Sequence, residues 1–126
     1  ACRAGTTKKF IWDDVLRVGD ANASCLESVD GKLRPVQRGG QCRANAWGLY
    51  DLHGNAWELC EDRWHDDYEG ATDDGTAWME GAAPDRVFRG GSWGNPAINC
   101  RSSIRSRLVP SSRGSDLGFR PAASSH

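Results

Sequence analysis

Asp51, Gly54, Asn55, Ala56 and Glu58 lie within eight residues, around the turn that His53-Gly54-Asn55 must make. Such a turn gathers carboxylate and backbone carbonyl oxygens about one point, and Ca²⁺ needs that, because it takes six to eight hard oxygen ligands in flexible geometry. The spacing is not that of an EF-hand, and a tight turn in which Glu58 pairs with an arginine fits the same residues. Asn22 and Asp30, with the Asp30-Gly31 turn, form a second candidate on the same logic. The five cysteines (Cys2, Cys25, Cys42, Cys60, Cys100) allow two disulfides at most, and no CxxC pair is present, which argues against a cysteine zinc site. His53, His65 and His126 have no ligand spacing to one another or to a cysteine. His65, beside Asp66 and Asp67, reads as a solvated loop residue. Gly90-Gly91-Ser92-Trp93-Gly94 fits the Gly-x-Ser-x-Gly pattern of a nucleophile elbow. No parallel α/β pattern surrounds it, so Ser92 is read as bonding locally beside a glycine pair that lets backbones approach closely.

The elements that hold these residues are short. The chain has 126 residues, one domain's worth, with 15 Gly and six Trp among few aliphatics. That mixture suits a turn-rich fold with aromatic anchors better than a helical bundle. No apolar run is long enough to span a membrane. Residues 3–12 read as a short strand or irregular edge and 19–46 as loop. Two short elements flank the His-Gly-Asn turn, followed by a long acidic loop over 61–85. Strands are expected at Arg86–Trp93, over Asn99–Arg107, where Cys100, Ser102 and Ile104 alternate with Arg101, Ser103 and Arg105, and around Leu117–Arg120. The resulting class is α+β with antiparallel strands and a large irregular fraction.

Charge is segregated beneath a net value of −1. Asp51 to Asp85 holds eleven acids against Arg63 alone, and Arg86 to Arg120 holds seven arginines against Asp116. The plain expectation is that the two segments neutralise each other. The sharper one is that the acidic stretch holds a cation and the Arg-rich stretch faces a ligand. The near-zero net charge argues against a general nucleic-acid partner.

The run Asn45-Ala-Trp-Gly-Leu-Tyr-Asp-Leu-His-Gly-Asn-Ala-Trp-Glu-Leu-Cys-Glu-Asp62, with Arg86-Val-Phe-Arg-Gly-Gly-Ser-Trp93, Asn99-Cys-Arg-Ser102 and Leu117-Gly-Phe-Arg120, resembles the formylglycine-generating sulfatase-modifying-factor domain, a variant of the C-type-lectin fold. The resemblance implies a calcium site from the side chains of Asp51 and Glu58 with the carbonyls of Gly54 and Ala56. A second is implied at Asn22, the carbonyl of Ala23, Asp30 and the carbonyl of Lys32. It also implies a disulfide between Cys2 and Cys100, with Cys60 a buried thiol. The chain is short for that domain and matches its C-terminal portion, which makes the missing N-terminal part an expected partner.

One departure bears on chemistry. The oxidases of the family bind Cu(I) through two cysteines in the stretch that reads Trp93-Gly-Asn-Pro-Ala-Ile-Asn99 here, and both are absent. Related sulfoxide synthases hold iron through histidines, and the three here form no such triad. The chain is more similar to the variable proteins of diversity-generating retroelements, which display a mutable face near the C-terminus. A common form of that segment has Asn where this chain has Ile104, Ser106, Leu108, Val109, Ser112, Gly114, Ser115 and Asp116, and changes at the adenines of an AAC codon reach all of these residue types. The resemblance implies a non-enzymatic module that binds a protein or glycan through residues 93–116, with Trp93, Asn95, Ala97 and Ile98 completing the face. On this reading Ile104, Leu108 and Val109 are exposed contacts clustered with Trp93; the alternative makes Ile104 and Val109 buried strand residues. The implied setting is extracellular, cell-surface or virion-displayed, and the competing reading is a sulfatase-modifying-factor-like oxidoreductase.

Overall fold

The computed structural model describes residues 2–15, 36–40 and 42–122. Cys25 and the candidate ligands Asn22, Ala23, Asp30 and Lys32 lie outside the described residues. Four strands form one sheet: β1 (Trp57–Arg63), β2 (Arg86–Arg89), β3 (Ser106–Leu108) and β4 (Leu117–Phe119), in the order β3-β2-β1-β4. Among the described residues the helical content is one 3-10 turn, Ala97–Cys100. No helix among them is long and apolar enough to cross a membrane.

The register explains which side chains share a face. Leu59 stands opposite Phe88 and Phe119, and Trp57 opposite Leu117, so these residues make one apolar face. Glu58, Arg89 and Gly118 align on the other. The β1–β2 and β2–β3 pairs are antiparallel, but β4 runs parallel to β1, so the sheet is mixed where antiparallel strands are expected from sequence. The cause is connectivity: the chain visits β2 and β3 before returning to the far edge of β1, and so long a crossover permits parallel entry.

Of the short strand or irregular edge expected over 3–12 the irregular form is found, and the strand expected over 99–107 forms only at its end. Residues 3–12 are irregular turns, because Ile11 gives its amide to the ring of His53 at 3.1 Å rather than to a neighbouring strand. Over 99–107 only Ser106–Leu108 is strand. Pro96, with φ −67°, starts the 3-10 turn, Asn99 N–H bonds Pro96 O at 2.9 Å, and Ile104 N–H turns back to Arg101 O at 3.0 Å. Local turn bonds thus override the alternation.

Among the described residues the buried apolar side chains are Phe10, Ile11, Cys42, Val87, Phe88 and Cys100. Phe10 and Cys100 form a nucleus against which Trp12 and Ala97 pack, and burying one such Phe contributes about 2 to 3 kcal/mol. His53, fully buried, joins this nucleus to the turn before β1. The core therefore lies beneath the start of the 93–116 segment.

Candidate functional site

The frame of the expected binding face is Gly90-Gly91-Ser92, directly after β2. Gly91 has φ +73°, and a Cβ there would stand 2.6 Å from both Asn99 O and Cys100 Sγ, so the backbone needs glycine to lie this close. Ser92 is fully buried and bonds locally: its N–H and hydroxyl reach Asn95 Oδ1 at 3.0 and 2.8 Å, and the hydroxyl is also 3.1 Å from Asp116 Oδ2. One serine thus ties the first residues of the segment to its last. Trp93 N–H bonds Asn55 O at 3.0 Å and Trp57 N–H bonds Asp116 O at 2.8 Å, which fastens both ends to the β1 turn.

The twelve positions expected to face a ligand divide accordingly. Ile98, Leu108 and Val109 are 57%, 38% and 47% exposed, and Ser106, Gly114 and Ser115 are exposed beside them in the chain. Ile104 and Ser112 are half-buried. Asn95 and Asp116 turn inward onto Ser92, Ala97 packs on the core, and the buried indole nitrogen of Trp93 has no hydrogen-bond partner. Gly114 has little freedom, since a Cβ would stand 3.0 Å from Asp116 Oδ1. The face therefore rests on Ile98, Leu108 and Val109 with their polar neighbours, while the inward set is frame.

The acidic loop supports this face from behind. Arg105 lies over the rings of Trp64 and Tyr68, at 4.3 and 4.5 Å from the centroids, and donates to His65 O at 2.6 Å and Asp66 O at 3.0 Å. Arg107 stands 3.9 Å from both Asp66 and Asp85. The two oppositely charged segments do meet, through aromatic rings and carbonyls more than through carboxylates. Tyr68, 58% exposed and bonded to Arg89 at 3.1 Å, was not singled out by sequence; its signal is an aromatic pair spaced through an acidic stretch opposite arginines. His65 is not solvated as expected but stacked on Trp78 at 3.4 Å, its ring nitrogens 3.1 and 2.8 Å from Arg63 O and Glu80 O.

On the other side of the Asn55 turn, Asp51, Ala56 and Glu58 line one hollow of about 420 Å³ with Tyr50, Phe119 and Arg120. Positive φ at Asp51, Gly54 and Asn55 (55°, 77° and 68°) shapes the turn. Gly54 is buried behind it, its N–H bonded to Gly90 O at 2.7 Å. Asp51 accepts the amides of Cys42, at 3.2 Å, and Gly40. Glu58 is gripped by Arg120, with Nε–Oε2 at 3.0 Å and Nη2–Oε1 at 2.5 Å, the pairing that the bare sequence allows. That hydrogen bond raises the guanidinium pKa further above its ordinary value. Among the described residues no three His, Cys, Asp or Glu gather at a point, so a cation here would rest on two carboxylates and carbonyls. That donor set suits Ca²⁺ chemically, since each carboxylate oxygen keeps a second lone pair, but Arg120 competes for Glu58.

Among the described residues no disulfide joins Cys2 to Cys100. The Cys100 sulfur lies 4.0 Å from Ser92 O, beneath Gly91, whereas Cys2 opens on a cavity. Cys60, expected to be buried, is half-buried on the same cavity.

The sulfatase-modifying factor enzyme 1-like domain matches residues 1–125. A formylglycine-generating enzyme of Streptomyces coelicolor is 40% identical over 139 aligned positions, covering 97% of this chain and 43% of the enzyme. Among solved structures, PvdO from Pseudomonas aeruginosa superposes with a TM-score of 0.79 at 38% identity, covering 94% of this chain and 46% of that one. Treponema denticola variable protein 1 gives 0.73 at 26% identity, covering 94% and 41%. The chain thus spans less than half the length of each.

Proposed function

The chain belongs to the sulfatase-modifying factor enzyme 1-like family, with a C-type-lectin-like fold, and from that premise we propose that it is a non-enzymatic module that binds a protein or glycan through residues 93–116. The observation that carries this reading is the pairing of exposed apolar side chains, Ile98, Leu108 and Val109, with a frame pinned through Ser92 to Asp116. Apolar side chains held outward on a rigid frame suit recognition, because binding then orders little more of the chain. The likeness to the variable protein supports it. So does the stretch Trp93–Asn99, which contains no cysteine to hold Cu(I).

The second reading, an oxidoreductase, is favoured by the identity to the Streptomyces enzyme. An oxidation assay on a cysteine-containing peptide, run with metal analysis, separates the two. Turnover with stoichiometric copper or iron would overturn the binding-module reading; a protein or glycan array signal that Leu108→Asp and Val109→Asp abolish would support it.

The same frame predicts a split in stability. Leu108→Asp and Val109→Asp are expected to change unfolding free energy by about 0.5 kcal/mol or less in urea titrations. Asp116→Ala, which removes a charged acceptor from the Ser92 hydroxyl and leaves it Asn95, is expected to cost about 1.5 kcal/mol. Equal costs at the two kinds of position would refute the division into face and frame.

We also propose calcium as a stabilising ion at Asp51, Glu58 and the carbonyls of Gly54 and Ala56, in competition with Arg120. Thermal melts in CaCl₂ and in EDTA test this. At calcium about 100-fold above Kd the gain is about 2.7 kcal/mol. Glu58→Gln should abolish it, and Arg120→Leu should lower Kd by about tenfold, the loss of one nearby like charge. Coinciding melts of the native protein with and without calcium would end the proposal.

A further inference from the structure

A cavity of about 680 Å³ opens on the side of the molecule where the N-terminal turn meets β1 and β2, and Glu58 and Arg120 form the wall between it and the Asp51 hollow. Three other arginines line it, Arg3, Arg89 and Arg101. Their bonds go to neutral oxygens: Arg3 to Lys8 O at 2.6 Å, Arg89 to Ile104 O at 3.2 Å and Tyr68 Oη at 3.1 Å, and Arg101 to Ile98 O at 2.5 Å. Among the described residues none is paired with a carboxylate, in contrast to Arg120. Each guanidinium carries five N–H donors, so most donors of all three remain unspent. Ser102, whose hydroxyl lies beside the Cys2 thiol, stands on the same wall. Leu49 and Leu52 supply an apolar floor.

Three like charges around one recess repel each other, and an oxyanion is the group that relieves this, since guanidinium and carboxylate geometries match in two parallel hydrogen bonds. The leucines add area for a short aliphatic body but cannot bind the charge. We propose that this cavity is a binding site for a small amphipathic carboxylate, its oxyanion held by Arg3, Arg89 and Arg101 and its aliphatic part laid on Leu49 and Leu52. The site takes Arg101 and Ser102 from the 93–116 segment but none of the exposed apolar residues Ile98, Leu108 and Val109, and it does not depend on their role. Glu61 is the carboxylate on this wall besides Glu58 and is exposed, so the interior of the recess stays positive.

Two thiols of the wall, Cys2 and Cys60, report on occupancy. Burial pushes both above the ordinary thiol pKa, and the charge of Arg89 reaches both sulfurs. Both should therefore alkylate more slowly than an exposed thiol at pH 8, but measurably. The experiment is iodoacetamide labelling of the whole chain, with the rate at each cysteine followed by peptide mass mapping, in hexanoate, its neutral isostere hexanamide, or inorganic sulfate. Hexanoate is expected to slow labelling of Cys2 and Cys60 at least fivefold at saturation, with hexanamide inert and sulfate weaker. Arg101→Gln and Arg3→Gln should each raise the hexanoate concentration for half-protection by about tenfold without moving the melting temperature, as loss of a charged hydrogen bond predicts. Equal protection by hexanamide would overturn the site's charge selectivity, and equal protection by sulfate its apolar part. Protection that survives both arginine substitutions, or no protection at all, would overturn the site.

Discussion

Gly91→Ala is expected to destabilise the fold by about 2 to 5 kcal/mol, the sum of about 1 to 2 for a left-handed backbone and about 1 to 3 for overpacking. The added methyl would stand 2.6 Å from Asn99 O and from Cys100 Sγ, and 3.0 Å from Cys100 Cα, with Cys100 fully buried. Two of those three atoms are backbone, so relief requires the Asn99–Cys100 turn to move, not a side chain to rotate. Moving that turn also moves Ile98, which belongs to the exposed face. Gly48→Ala is the control: its φ is +75°, nearly the same, but nothing lies within 4 Å of the new methyl. It should therefore cost only the backbone part, about 1 to 2 kcal/mol. Urea unfolding of both variants isolates the clash, and a Gly91→Ala cost equal to that of Gly48→Ala would show that the Asn99–Cys100 turn yields freely.

How much of this was legible in the sequence follows from the range of the interactions. Arg86–Arg89 and Leu117–Phe119 are strands as their patterns imply, because both pair inside the sheet and alternation reflects sheet faces. The Asn99–Arg107 alternation misleads because Pro96 and the Arg101–Ile104 turn satisfy the local amides first. Ser92 is readable as a locally bonded serine beside glycines, but its reach to Asp116 crosses 24 residues and has no sequence signature. The same holds for Asn95 and Asp116, which a list of variable positions groups with Leu108 and Val109. Position in a display segment does not say which way a side chain turns. Oppositely charged segments suggest contact between 51–85 and 86–120. That Arg105 uses the faces of Trp64 and Tyr68 emerges only when β3 is placed at the sheet edge.

His53, which the sequence marks only as a histidine without ligand spacing, holds more of the fold than any candidate ligand does. Its ring is fully buried; Nε2 accepts the Ile11 amide at 3.1 Å, and Nδ1 lies 2.6 Å from Cys100 O. A carbonyl can only accept, so Nδ1 carries the proton and the ring is the neutral tautomer whose Nε2 is free to accept. Phe10 and Trp12 meet the ring edge-on, with centroids 5.4 and 5.6 Å away. His53→Ala removes both bonds, strands a buried amide and a buried carbonyl, and leaves a cavity, so the expected loss is about 4 kcal/mol or more. His53→Phe restores the volume but neither bond and should cost about 2 to 4 kcal/mol, less than His53→Ala. The ordering tests packing; where the damage spreads tests function. Because Cys100 begins the run that leads to Ile104 and β3, both variants should speed amide exchange at Ile11 and across 99–104, and weaken ligand binding more than stability alone predicts. Faster exchange confined to 9–13, with 99–104 unchanged, would show that the 99–104 run does not depend on this histidine for its position.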